Sequence, residues 1–340
     1  MKRIVELLEI KNTPVFNTRE KKIEMDTIRW DQAMVNTMMY KWGTFGDPGN
    51  STKSYPVKIL QKFTKRVHRS RYVLPETKLF SEQSKDPETE VLKFAKKYRI
   101  QTDPWVWKKE AHEFVSINEF FHREYRDKID VQEQTNNRSV CSPCDSFVVA
   151  FNTIEESTHF WIKGTSFTLK KTGIPGYADY LTGPVIVFRL APFHYHHIHM
   201  PVCGTIVDIV TIARKYEFSH VVTPAVVGDE QWNPYNENER KIVVFSTEYF
   251  GTLALMIVGA CGIDTIILNK TVVVGSVIEK GVNIGHFEKG GSTVVLFSQN
   301  RFSLIDTVNQ RQIGCNKIVE QSMQVGEVVG RTHDSGTASA

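Results

Sequence analysis

The chain has 340 residues, 41% of them apolar and 11% aromatic, enough for roughly two domains with a buried core, which excludes disordered and fibrous classes. Lys plus Arg number 42 against 38 Asp plus Glu, a formal net charge of +4, so global charge does not mark a nucleic-acid binder and any basic patch is local. The longest mostly apolar run without an acid or base, Tyr249 to Ile263, falls short of the ~20 residues of a spanning helix, and five scattered cysteines do not make a secreted disulfide framework.

In chain order, Ile28, Val35, Met38 and Met39, then Val91, Phe94, Ala95 and Tyr98, recur at helical spacing, which predicts a helical or irregular first ~130 residues. Gly43 to Pro56 reads as a loop and Asp86-Pro87 as a hinge. Between Lys53 and Arg71 stand seven Lys or Arg residues and no acid, interleaved with Leu60, Phe63 and Val67. This pattern fits a membrane-surface or protein-docking helix, and equally a core-packed helix with a solvated face. From Phe147 onward, apolar β-branched runs are cut every 8 to 12 residues by Gly, Pro or Asn. Strands are expected at Phe147 to Phe151, Cys203 to Ile212, Lys241 to Glu248, Leu253 to Ala260, Thr271 to Ile278 and Thr293 to Phe297. The fold class is therefore α+β, a helical N-terminal region followed by a predominantly antiparallel β body. The division is residues 1–110 as a basic helical region, 111–333 as the body and 334–340 as a flexible tail. The N-terminus has no apolar leader core, and Glu6 and Glu9 do not suit a transit peptide, so a cytoplasmic location is expected.

Three places carry chemistry. His194, His196, His197 and His199 fall within six residues, beside Tyr195, Ile198 and Met200. Strand alternation cannot turn all four to one metal, and no carboxylate follows until Asp208, so proton transfer by one or two imidazoles needs fewer coincidences than a zinc or iron site. Cys141-Ser142-Pro143-Cys144 is a lone C-x-x-C without a second pair or a βαβ setting, followed by Asp145, which taken alone is a turn residue. Gly290-Gly291-Ser292-Thr293 is neither a nucleophile elbow nor a phosphate loop, and taken singly is a hairpin turn. Asp145, His199 and Ser292 could form a triad, since triads are defined by role and occur in several chain orders.

The ordered set Ser116 to Phe121, Ser142-Pro143-Cys144-Asp145-Ser146, Ile162-Lys163-Gly164, Tyr195 to Pro201, Asn238-Glu239-Arg240, Phe245 to Ala260 and Gly290 to Thr293 resembles the phosphatidylserine decarboxylase family. The resemblance spans roughly residues 110 to 330. The Gly-Gly-Ser-Thr and Pro-Cys-Asp-Ser forms resemble its eukaryotic extramitochondrial, type II branch. His194 and His197 flank the family's Tyr-His-x-x-His, and Phe147 stands where a basic residue is common.

The resemblance implies a self-processing enzyme, a carboxy-lyase, with catalytic Asp145, His199 and Ser292 and cleavage between Gly291 and Ser292. Its cofactor would be a covalent pyruvoyl group derived from Ser292, which forms a Schiff base with phosphatidylserine and releases CO2 and phosphatidylethanolamine. His196 would hold the substrate carboxylate or phosphate, and no metal is implied. Expected partners are phosphatidylserine, a membrane surface met peripherally from the cytoplasm, the chain's own two fragments as a heterodimer, and a second copy as a homodimer; nucleic acid is not among them. Two rivals stand beside this reading, a soluble relative decarboxylating a free amino acid such as tryptophan, and a non-catalytic β-rich metal or binding module.

Overall fold

The structure, a computed structural model, describes residues 13–17, 22–26, 86–103, 105–153, 169–213, 239–259, 266–288, 292–306, 308, 311–313 and 317–332. The basic stretch Lys53 to Arg71, the loop before it, Ile28 to Met39 and the 334–340 tail lie outside the described residues.

Helix α1 (Pro87–Tyr98) buries Val91, Phe94 and Ala95, the stripe that the spacing predicts. Asp86, in the expected hinge, is its N-cap: Oδ1 accepts the Thr89 N–H at 3.2 Å, and Pro87 occupies the first turn, where a missing N–H costs nothing. A short second helix, α2 (Ile117–Phe121), is capped by Ser116 and adds Phe120 and Phe121 to an aromatic core with Phe94 and Phe114. The helical reading of the front third fails at two strands, β1 (Thr13–Asn17) and β2 (Lys22–Asp26), an antiparallel pair that β1 joins in parallel to β16 (Lys317–Met323). Lys22-Ile23-Glu24-Met25-Asp26 alternates at the strand period, a local signal that the helical spacing further on outweighed.

The body consists of β3 (Ser139–Cys141), β4 (Ser146–Phe151), a helical turn α3 (Leu169–Thr172), β5 (Val185–Leu190), β6 (His197–His199), β7 (Gly204–Ile212), β8 (Arg240–Thr247), β9 (Gly251–Val258), β10 (Ile266–Leu268), β11 (Val277–Ile278), β12 (Asn283–Phe287), β13 (Ser292–Ser298), β14 (Ser303–Leu304), β15 (Arg311–Ile313), β16 and β17 (Val328–Arg331). Of the expected strand Thr271 to Ile278 only its end, β11, pairs; the rest is turns around Gly275. The large sheet runs β11-β7-β8-β9-β13-β5-β4-β16-β1-β2, with β15 also on β16, and is antiparallel apart from β1 beside β16. Two three-stranded sheets, β10-β12-β6 and β14-β17-β3, accompany it.

Strands β4, β5, β8, β9 and β13 read as near-continuous apolar runs because both their faces are covered. Val148, Phe188, Phe245, Leu255 and Val294 face one core with Ile198, Met200, Ile284 and Phe287 of the β6–β12 layer. Val149, Val187, Val244, Met256 and Val295 alternate to a second core closed by Leu169, Ile174 and Tyr180.

Candidate active site

Registers in the large sheet bring the three sequence-predicted regions to one end. Thr293 of β13 and Phe147 of β4 both pair with Arg189 of β5, and the backbone of Ser292 pairs with Leu190. Ser292 therefore opens β13 where Asp145 lies one residue ahead of β4, and β5 between them runs out toward the His segment. At ~4.8 Å per strand, β13 and β4 are about 10 Å apart, with β5 in the gap. Beneath this end Arg189 is held by the buried Glu320 carboxylate through Nε to Oε1 at 2.9 Å and Nη2 to Oε2, which fixes β5 against β16. The His segment folds back as β6, pairing with β12, whose chain continues within five residues to Ser292. The His199 N–H donates to the Pro143 carbonyl at 2.7 Å, two residues ahead of Asp145, so β6 is tied to the Asp145 turn.

All four clustered histidines are buried, and their partners specify their protonation. His199 directs Nδ1 at the Gly281 carbonyl at 2.7 Å, so Nδ1 carries the hydrogen and Nε2 the lone pair, 3.2 Å from the Tyr195 hydroxyl. Burial pushes its pKa down to about 4, leaving the ring neutral at pH 7. His196 sets Nδ1 against the His194 carbonyl at 2.9 Å under the Phe121 ring, and burial followed by the Arg123 charge pushes it well down. His194 Nδ1 accepts the Ala191 N–H at 2.8 Å, and burial with the charges of Arg189 and Arg123 pushes it down to about 3. His197 receives the Asn283 amide at Nδ1 and donates from Nε2 to the His122 carbonyl, at 2.8 and 2.7 Å, so both its nitrogens are used in structure. Asn283 itself is oriented by the Gly285 N–H on its Oδ1.

The Asp145 carboxylate is buried and accepts the Tyr125 hydroxyl at Oδ2 (2.7 Å), the Val325 N–H at Oδ1 (2.9 Å) and the Tyr195 backbone N–H. Burial raises its pKa above the ordinary value, and these hydrogen bonds with the Arg123 charge pull against that rise. Among the described residues, then, Asp145 and His199 take their hydrogen bonds from separate partners, and Tyr195 spans them with its backbone on one and its hydroxyl on the other. Tyr125, Tyr195 and His199 form a run of ring contacts, with centroids 4.5 and 5.7 Å apart. Arg123 is fully buried over Trp107, its Nη2 donating to the carbonyls of Phe193 (2.7 Å) and His194 (3.1 Å), so it positions the mouth of the His segment.

Sequence reasoning missed Tyr125 and Arg123, which lie in Arg123-Glu124-Tyr125 with no motif to mark them. It also missed Gly281, whose carbonyl orients His199. The C-x-x-C pair is inert: Cys141 and Cys144 are free, buried thiols, with burial pushing Cys141 up to about 11 and Cys144 well above its ordinary value.

The arrangement is an antiparallel β protein with neutral, buried imidazoles and a buried carboxylate near the shared end of three strands, groups of the kind that can move protons. A family model described as phosphatidylserine decarboxylase matches residues 117–331. The chain is 33% identical over 241 residues to a phosphatidylserine decarboxylase proenzyme of Fusobacterium nucleatum, covering 68% of this chain and 75% of that one. It is 30% identical over 251 residues to phosphatidylserine decarboxylase proenzyme 2 of Komagataella phaffii, covering 72% of this chain and 24% of that one. With phosphatidylserine decarboxylase proenzyme 2 of Oryza sativa it shares 33% over 213 residues, 61% of this chain and 33% of that one. The chain belongs to the phosphatidylserine decarboxylase family. It spans about a quarter of the length of the fungal relative and three quarters of the bacterial one. No helix among the described residues is long and apolar enough to cross a membrane.

Proposed function

We propose that this chain is a self-processing phosphatidylserine decarboxylase acting at a membrane surface, with residues 111–333 as the decarboxylase unit and 1–110 as a membrane-facing region. The observation that carries the reading is the convergence of the Asp145 turn, the end of β5 and the start of β13 at one sheet end, with His199 tied to Pro143.

The chemistry of processing follows from the chain's own groups. His199, neutral and with its lone pair on Nε2, takes the Ser292 hydroxyl proton, and Tyr195, able to donate or accept, keeps a hydrogen bond to Nε2 before and after. The Ser292 oxygen attacks the Gly291 carbonyl carbon, the Gly291–Ser292 C–N bond breaks, and the amide becomes an ester. Loss of the Ser292 α-proton expels the Gly291 carboxylate, which separates residues 1–291 from 292–340. The dehydroalanine left at 292 takes up water and releases ammonia, so the fold supplies its own prosthetic group from the first residue of β13. That pyruvoyl group supplies an electron-withdrawing ketone for an α-amino acid headgroup, and electrons freed with CO2 have somewhere to go. His199 then takes up a solvent proton at Nε2 and passes it to the substrate α-carbon, the one proton that loss of CO2 consumes. His196 donates Nδ1–H to His194, so holding a carboxylate or phosphate at Nε2 requires a second proton on that ring, taken up as the anion arrives.

Ser292→Ala tests the reading. It leaves one uncut chain on denaturing electrophoresis and by intact mass, with no CO2 released from phosphatidylserine vesicles, where the unaltered chain gives two fragments. Two fragments from Ser292→Ala would overturn the assignment. The rival substrate is decided in parallel, because CO2 from free tryptophan and none from vesicles would place the chain with soluble amino-acid decarboxylases.

A further inference from the structure

His122 follows the last residue of α2, and His286 lies in β12 with Glu288 two residues beyond it, where extended chain returns to the same side. One ligand atom from each of the three lies within 4.8 Å of the others, and all three residues are half-buried. The His122 and His286 rings face one another with centroids 4.6 Å apart. This arrangement is braced by a group the processing chemistry does not use. His197, opposite His286 across the β6–β12 pair, has Nε2 on the His122 carbonyl and Nδ1 on Asn283, so it anchors the His122 backbone to the strand beside His286.

We propose that His122, His286 and Glu288 form a binding site for a first-row divalent cation of the Zn2+ type, tying the end of α2 to the end of β12. Two imidazoles and one carboxylate match zinc's ligand preference with an open fourth position for water, whereas Ca2+ and Mg2+ demand oxygen donors. Tetrahedral zinc at ~2.0–2.1 Å from each donor needs them about 3.3 Å apart, so donors within 4.8 Å of one another close by at most about 1.5 Å around the ion. The imidazoles must be neutral to ligate, and burial pushes both His122 and His286 down, His286 to about 4. His197, through the His122 carbonyl, holds the backbone that carries this ligand against the strand of His286. No other such group of three stands among the described residues, and none of His194, His196 or His199 belongs to this one.

The experiment uses the tag-free full chain, metal-stripped, titrated with Zn2+ by calorimetry, with metal content after gel filtration measured by elemental analysis. About one equivalent of Zn2+ is expected, together with a Co2+-substituted form showing visible ligand-field bands of a low-symmetry nitrogen–oxygen site. His286→Ala and the near-isosteric Glu288→Gln should each weaken Zn2+ binding at least about tenfold, since outer- and inner-sphere losses reach ~10–100-fold. Far-ultraviolet circular dichroism shows that the variants are folded. Failure of the unaltered chain to retain Zn2+, or one equivalent retained unchanged by Glu288→Gln, would overturn the site. Repeating the titration on Ser292→Ala keeps the result independent of processing, because binding is read without cleavage or turnover.

Discussion

Gly281→Ala probes the group that sets the His199 tautomer without touching a residue of the proposed triad. Gly281 has φ +83°, a region that costs an L-residue about 1–2 kcal/mol. A Cβ there would stand 2.5 Å from Val131 Cγ2, and such overpacking costs about 1–3 kcal/mol more. Gly281 donates its N–H to the Met200 carbonyl at 2.8 Å, and its own carbonyl accepts from His199 Nδ1 at 2.7 Å, so rotation about its φ and ψ to relieve the strain moves the carbonyl that orients the imidazole. The expected loss is about 2–5 kcal/mol of stability, measured by urea unfolding in a Ser292→Ala background, where the chain stays in one piece. Maturation of the cleavable form, followed by electrophoresis over time, should slow at least about tenfold, the equivalent of ~1.4 kcal/mol in the barrier. Adding Val131→Ala should return the steric share and leave the backbone share, a partition that the double-mutant cycle reads directly. Stability within ~0.5 kcal/mol of the parent, with maturation at the parent rate, would refute both the strain and the role given to the Gly281 carbonyl.

Asp145→Asn should block or greatly slow cleavage, and unimpaired maturation would remove Asp145 from the machinery. Tyr125→Phe strips a charge-assisted hydrogen bond of about 1.5–3 kcal/mol from Asp145 and raises its carboxyl further, so the acid limb of the maturation profile should move to higher pH; an unmoved limb would sink this role. His199, pushed down to about 4, is a neutral base at any pH well above that, so its own protonation should slow maturation only near pH 4, and any fall at higher pH belongs to Asp145, whose carboxyl burial raises. His199→Ala should abolish both cleavage and turnover while His196→Ala mainly damages turnover, and substrate binding should take up a proton, visible in calorimetry as a dependence on buffer ionisation enthalpy. Replacing Lys58, Lys62, Lys65 and Arg66 with Gln should lower binding to anionic vesicles by orders of magnitude, at about 1 kcal/mol per cation, and high salt should mimic it; equal co-sedimentation at all salt concentrations would place that stretch inside the protein or against a protein partner.

The β body was legible because β4, β8, β9 and β13 are apolar on two covered faces, and composition and turn spacing alone mark such strands, although β5 between them was not singled out. The helix α1 was legible from Val91, Phe94 and Ala95 at i, i+3 and i+4, while the capping role of Asp86 shows only once the Thr89 N–H is seen on its side chain. The ordered motifs around Asp145, His199 and Ser292 were enough to single these residues out and to point to the family. That the segments carrying them end on one side of the sheet was not legible, because it rests on pairings between segments 40 to 180 residues apart: β13 and β4 on either side of β5, and Val325 on Asp145. The partners of the imidazoles were likewise hidden. A tautomer is chosen by whichever carbonyl or amide the fold brings to the other nitrogen, so Gly281, His122, Asn283 and the hydroxyls of Tyr125 and Tyr195 carry no local signature of their roles. Sequence determined which chemistry the chain could hold; only the tertiary structure decided which nitrogen faces which oxygen, since burial and long-range pairing set those states.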